Sequence, residues 1–137
     1  MTLEEQLVRH EGLRLQIYYD TVGVPTIGVG RNLSVGISQE EALYLLRNDI
    51  TRVQQELQRK LSFYADLSPI RRQVLENMAF NLGMRGLLGF TKTLTLIKQG
   101  AYAEAAQQML MSKWARQVGK RAQRLAYMMR HDTDPPE

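Results

Sequence analysis

The spacing of apolar residues near the N-terminus changes at Leu13, which predicts a short helix followed by a strand. In residues 2–12, a capping box of Thr2 and Glu5 precedes one apolar helical face. From residue 13 to 20, apolar and polar residues alternate as in a half-buried strand. A tight turn then leads to a second strand at 24–29 and completes a predicted hairpin. Its first strand would bury Leu13, Leu15, Ile17 and Tyr19.

Beyond the hairpin, apolar residues recur every three or four positions, which indicates helices. A capping box of Ser38 and Glu41 opens a helix over 38–61, and Ser68-Pro69 opens a central helix ending near Gly83. Shorter helices are predicted at 91–99, 101–112 and 120–130. The fold class is therefore α+β and mainly helical. We expect one domain with a small β lobe (12–37), a connecting helix (38–61) and a helical lobe (62–137 plus 1–11).

Composition is consistent with a compact domain that needs no cofactor. The chain has 137 residues, of which 44% are hydrophobic, and no apolar run long enough for a membrane span. It contains no cysteine, and His10 and His131 are too far apart to suggest a metal site. The first residues lack the pattern of a secretory signal. We therefore predict a monomer without metal or cofactor that accumulates in the cytoplasm and does not insert stably into a membrane.

The charge balance indicates an anionic partner. Eighteen Lys and Arg residues against fourteen Asp and Glu give a net charge of +4. Such a protein would concentrate near anionic cell-wall polymers or membrane surfaces. The same charge suits a helical DNA-binding module with a basic C-terminal helix, although no helix-turn-helix signature distinguishes one.

Candidate chemistry is concentrated between Glu11 and Gly30. Glu11 is predicted in the last turn of the first helix, where the negative end of the helix dipole favours a protonated carboxyl group. Asp20 would close the first strand and Thr26 would lie on the second. Two carboxylates in different environments suit glycoside hydrolysis, although ordinary surface carboxylates could account for the same residues. Glycines in this stretch indicate a bulge or a close approach by a ligand or another backbone segment.

The run EGLRLQIYYDTVGVPTIGVG resembles the signature of the T-even-type bacteriophage lysozymes, glycoside hydrolase family 24. In that signature, Glu is followed after eight residues by Asp and after five more by Thr, and the spacing here is the same. The resemblance resumes at Arg71-Arg72 and continues with Gly89-Phe90-Thr91 and Trp114. It covers nearly the whole chain, although the segment between Leu33 and Ile37 is shorter than in longer relatives, so the small lobe should be shortened.

The resemblance implies hydrolysis of peptidoglycan at the β-1,4 bond between N-acetylmuramic acid and N-acetylglucosamine, by an inverting route. Glu11 would be the general acid, and Asp20 and Thr26 would position the attacking water. Arg121 and Arg124 would support the acid, unless they belong to a solvated helix face. Phe80 could instead be a core residue. The residues implied to bind saccharide are Leu33, Phe80, Asn81, Thr93 and Gln108.

The implied biological role is lysis of a bacterial host in a phage or prophage context. Two related alternatives are a lytic transglycosylase and a non-catalytic peptidoglycan-binding protein. Asp20 and Thr26 disfavour both, because neither activity needs a positioned water. A DNA-binding module remains the remote alternative, and with the lysozyme assignment we expect no nucleic-acid partner.

Overall fold

The computed structural model describes residues 1–137 and confirms the predicted α+β, mainly helical fold. The chain forms two compact units, Met1–Leu46 and Arg47–Glu137, and the boundary falls within a helix. No helix combines the length and the apolar character that crossing a membrane requires. In chain order the elements are α1 (Leu3–Glu11), β1 (Arg14–Tyr19), β2 (Pro25–Gly28), β3 (Arg31–Asn32), α2 (Gln39–Lys60), α3 (Pro69–Leu88), α4 (Thr91–Lys98), α5 (Tyr102–Leu110), α6 (Lys113–Val118) and α7 (Lys120–His131).

The first unit begins with α1, which is capped as the sequence predicts. Thr2 accepts a hydrogen bond from the backbone of Glu5, and the Glu5 carboxylate accepts one from the backbone of Thr2. An antiparallel sheet of order β1-β2-β3 follows. The third strand, of only two residues, extends the predicted hairpin. Strand β2 is therefore central and forms ladder hydrogen bonds on both sides.

The prediction that β1 is half-buried is wrong. Its predicted core face, Leu13, Leu15, Ile17 and Tyr19, is exposed, and Leu15 retains 83% of its accessible surface. Only Tyr18, from the opposite face, is partly buried. Alternation determines which side chains share a face, but burial requires a second apolar layer. No apolar side chain of the first unit is buried, so no such layer forms within it.

Helix α2 starts with the predicted capping box, in which Ser38 and Glu41 exchange two side-chain to backbone hydrogen bonds. Its apolar stripe is buried only towards the C-terminal end. Leu57 is completely buried, whereas Leu43 and Ile50 remain about 40% exposed. The stripe therefore contributes to a core only in its last turns.

The core lies in the second unit. Its fully enclosed side chains include Val74, Leu75 and Met78 of α3, and Met109 and Met129 from α5 and α7. Ser68 caps α3, with Pro69 in the first turn, as predicted. The predicted helix end at Gly83 is a kink with φ of 76°, after which helical structure continues to Leu88.

The sequence pattern missed α6, which lies between the predicted fifth and last helices. Ser112 caps it by accepting from the backbone of Ala115, and Gly119 ends it with a positive φ. Trp114 is buried, and its indole N–H donates to the Asn81 carboxamide at 2.8 Å. Its ring packs edge-on against Phe90. Trp114 is thus the main anchor of the helix, and Ala115 and Val118 also pack against the core.

Candidate active site

Glu11 is the last residue of α1, as the sequence predicts. The helix ends because Gly12 takes a positive φ of 79°, and its N–H still donates to the Val8 carbonyl at 2.9 Å. The Glu11 side chain is exposed and forms no ion pair or hydrogen bond within the protein. Its carboxylate lies directly against the backbone of Gly30, between β2 and β3. The two segments that carry the candidate catalytic groups therefore meet at this point.

Asp20 organises the turn between β1 and β2. Its Oδ1 accepts hydrogen bonds from the backbone N–H groups of Val22 at 2.9 Å and Val24 at 2.8 Å. The Asp20 N–H in turn donates to the Val24 carbonyl at 3.0 Å. One carboxylate oxygen is thus used to hold the turn, whereas Oδ2 has no hydrogen-bond partner in the protein. Asp20 has a structural role here and keeps an acceptor free.

Thr26 is the one buried polar residue of the first unit, with 4% of its surface exposed. Its hydroxyl donates to the Val24 carbonyl at 2.8 Å. This carbonyl also accepts from the Asp20 backbone, so a single peptide group links the two predicted water-positioning residues. The hydroxyl proton is committed to that bond, and Thr26 Oγ1 therefore presents lone pairs to any other partner.

An exposed ion pair connects the sheet to the first turn of α2. Arg31 Nη2 of β3 lies 2.6 Å from Glu41 Oε2. The hydrogen bond from Arg31, aided by the Ser38 cap, lowers the pKa of Glu41 to about 2. This pair is a feature of the scaffold that supports β3.

The predicted saccharide-binding residues fall in three places. Leu33 opens a short 3-10 turn after β3 in the first unit. In the second unit, Thr93 and Gln108 line one cavity of about 440 Å³. Phe80 lines another, of about 320 Å³, with Asp49 and Glu56 of α2. Phe80 is 49% exposed, so it is not a core residue but an available aromatic surface.

Asn81 has a defined structural role. Its Oδ1 accepts the Trp114 indole hydrogen bond, which orients the side chain and leaves its amide nitrogen without a protein partner. The cavity that contains Thr93 also includes Trp114 and two cations, Lys92 and Lys113. Sequence reasoning did not identify these lysines, because isolated lysines carry no spacing signal.

Arg121 and Arg124 both lie in α7 of the second unit. The Arg121 guanidinium donates to the Asn77 carboxamide at 3.0 Å, which fixes its position on α3. Arg124 is exposed and forms no ion pair. Glu11 belongs to the other unit, so support of the acid by these arginines stays a prediction.

Comparison with known proteins defines the class of this protein. The family model described as phage lysozyme matches residues 8–131. The chain therefore belongs to the phage lysozyme family, whose members are enzymes that hydrolyse peptidoglycan. The predicted enzyme class is confirmed at this level.

Three relatives illustrate the range of the family. The chain is 30% identical to the endolysin of Salmonella phage P22, over 80% of each chain. It is 29% identical to probable T4-type lysozyme 1 of Dictyostelium discoideum, over 90% of this chain and 91% of the relative. It is also 30% identical to the pre-baseplate central spike protein of Enterobacteria phage T4, over 94% of this chain but 28% of that protein. The chain thus spans about a quarter of the spike protein and most of the other two.

Proposed function

We propose that this protein is a muramidase that cleaves the β-1,4 bond between N-acetylmuramic acid and N-acetylglucosamine with inversion at the anomeric carbon. The proposal rests on the Val24 carbonyl, which accepts hydrogen bonds from both the Asp20 backbone N–H and the Thr26 hydroxyl. This arrangement brings two oxygen acceptors to the β1–β2 end of the hairpin, and the turn that follows β2 approaches Glu11.

The two acceptors suit a nucleophilic water. The Thr26 hydroxyl uses its hydrogen in the bond to the Val24 carbonyl, and Asp20 retains Oδ2 as a free acceptor. A water between them would donate both of its hydrogens and present a lone pair to the sugar. As its oxygen attacks the anomeric carbon, Asp20 accepts the proton that the water loses. Direct attack by water inverts the anomeric configuration.

Glu11 would complete the reaction as the general acid. It donates its proton to the glycosidic oxygen as the bond to the anomeric carbon breaks, so the leaving sugar departs as a neutral alcohol. Its exposed position leaves the carboxyl group accessible to a polymeric substrate. No other protein group competes for its oxygens by hydrogen bonding.

We further propose that the enzyme serves lysis of a bacterial host and reaches the cell wall from the host cytoplasm. Similarity to both an endolysin and a pre-baseplate central spike protein is consistent with a free enzyme or with a module of a larger particle. The glycan-binding roles of Phe80, Thr93 and Gln108 form part of the same proposal. Their cavities provide an aromatic surface and polar groups, which are the usual elements of a ligand site.

The first test replaces the proposed acid. Glu11→Gln keeps the shape of the side chain but cannot donate the proton, so turbidity loss of purified cell walls should slow by about 100-fold or more. Glu4→Gln is the matched control, because Glu4 is an exposed glutamate in the first turn of the same helix. The control should retain wild-type hydrolysis. Comparable activity of the two variants would remove Glu11 from the mechanism.

A further inference from the structure

The close contact between Glu11 and Gly30 brings the proposed acid against the backbone of the β2–β3 turn. A Cβ atom built at Gly30 would lie 2.7 Å from Glu11 Oε2, 3.0 Å from Cδ and 3.2 Å from Cγ. Contacts below 3.0 Å between a Cβ and another heavy atom essentially do not occur in proteins. The Glu11 side chain therefore occupies the space that any other residue at position 30 would need.

Neighbouring glycines show that this contact is particular to position 30. Gly30 has φ of +65°, and Gly28, the last residue of β2, has a similar φ of +70°. Both positions thus favour glycine for conformational reasons. Around Gly28, however, an added Cβ would meet no atom within 4 Å. Any other residue would therefore strain the backbone at either position, whereas only a side chain at position 30 would also overlap Glu11.

The group displaced by a larger residue would be the carboxylate itself. The Glu11 side chain is exposed and has no hydrogen bond or ion pair to hold it in place. It can swing away from a new methyl group more easily than the backbone of the turn can move. A substitution at Gly30 would then leave the fold largely intact and change the location of the acid.

We propose that Gly30 is a positioning residue for catalysis: its missing side chain lets the Glu11 carboxylate rest against the hairpin that carries Asp20 and Thr26. Glu11 and the hairpin belong to one compact unit, so the contact sets the acid relative to the water-positioning pair. The catalytic consequence rests on the proposed function of Glu11. The contact itself does not depend on that function.

A double-mutant cycle tests the contact without reference to activity. Gly30→Ala should lower the melting temperature less in a Glu11→Ala background than in the wild type, because the shortened side chain removes the overlap. Gly28→Ala is the control and should cost the same in both backgrounds. If Gly30→Ala folds only together with Glu11→Ala, the coupling is shown even more directly. Equal costs of Gly30→Ala in both backgrounds, together with a wild-type kcat for the single variant, would overturn the proposal.

Steady-state kinetics on soluble peptidoglycan fragments then test positioning. A displacement of the acid by about 1 Å should lower kcat of Gly30→Ala by about 100-fold with little change in KM. Gly28→Ala should keep kcat close to wild type, since its added methyl group does not touch Glu11. If the double-mutant cycle shows coupling but Gly30→Ala and Gly28→Ala have equal kcat values, the contact is supported and only the positioning role is refuted. Full activity of Glu11→Gln would instead refute the proposed acid, whatever the cycle shows.

Discussion

Asp20 has two roles that can be separated by two substitutions. Its Oδ1 holds the turn through the N–H groups of Val22 and Val24, whereas its charge and free Oδ2 serve the proposed chemistry. Asp20→Asn retains a side-chain oxygen that can accept both hydrogen bonds. Asp20→Ala removes the acceptor and leaves the two N–H groups to water. The two variants should therefore differ in stability but agree in their loss of hydrolysis.

The expected magnitude follows from the two hydrogen bonds. A net contribution of about 0.5–1.5 kcal/mol is typical of one hydrogen bond. Both N–H groups are exposed and can bind water after truncation, so we place the cost of Asp20→Ala at the low end, about 1–2 kcal/mol in total. Asp20→Asn should cost less than about half of that. For a domain of this size, a loss of 1 kcal/mol lowers Tm by roughly 2–8 °C.

Thermal unfolding followed by circular dichroism measures the first difference, and wall hydrolysis measures the second. We expect Asp20→Asn to melt above Asp20→Ala while both lose activity by about 100-fold or more. Equal melting temperatures would refute the structural role of Oδ1. High activity of Asp20→Asn would refute the need for a carboxylate at the water.

Two further predictions concern the scaffold. Because the folded-state pKa of Glu41 is lowered to about 2 from an ordinary value of 4.5, its pair with Arg31 stabilises the protein above that ordinary value and is lost as pH falls towards 2. The Tm difference between wild type and Glu41→Gln, which preserves the capping box, should therefore shrink over this range, and a constant difference would contradict the assignment. Tyr64 is buried and its hydroxyl donates to the Glu76 carboxylate, so Tyr64→Phe should cost about 1–2 kcal/mol in urea unfolding without affecting hydrolysis. A variant as stable as the wild type would show that water replaces this bond without loss.

The elements with strong local signals could be predicted from the sequence. The capping boxes at Thr2 and Ser38 and the proline after Ser68 define helix starts, and the structure places them as expected. Glycines 28 and 30 also indicated a special backbone. The structure shows a close approach at Gly30, but the approaching group is the Glu11 side chain rather than a ligand or another backbone segment.

Other features depend on tertiary context that the sequence pattern does not contain. Strand β3 has two residues and helix α6 has six, which is too short for a periodic signal. The exposure of β1 could not be predicted either, because alternating apolar and polar residues do not show whether another element packs on the apolar face. At the candidate site, the link between Asp20 and Thr26 is made by the Val24 peptide group. Because every residue type has a backbone carbonyl, a contact of this kind cannot be recognised from the sequence.

Product analysis tests the central claim most directly. Digestion of peptidoglycan in heavy-oxygen water, followed immediately by NMR and mass spectrometry, reports both the source of the new oxygen and its configuration. If Asp20 and Thr26 direct a water onto the anomeric carbon, the new reducing end must carry the label and appear first as the α anomer. A β anomer formed first would contradict the inverting geometry, and unlabelled anhydro-muramic ends would show that no water attacks at all.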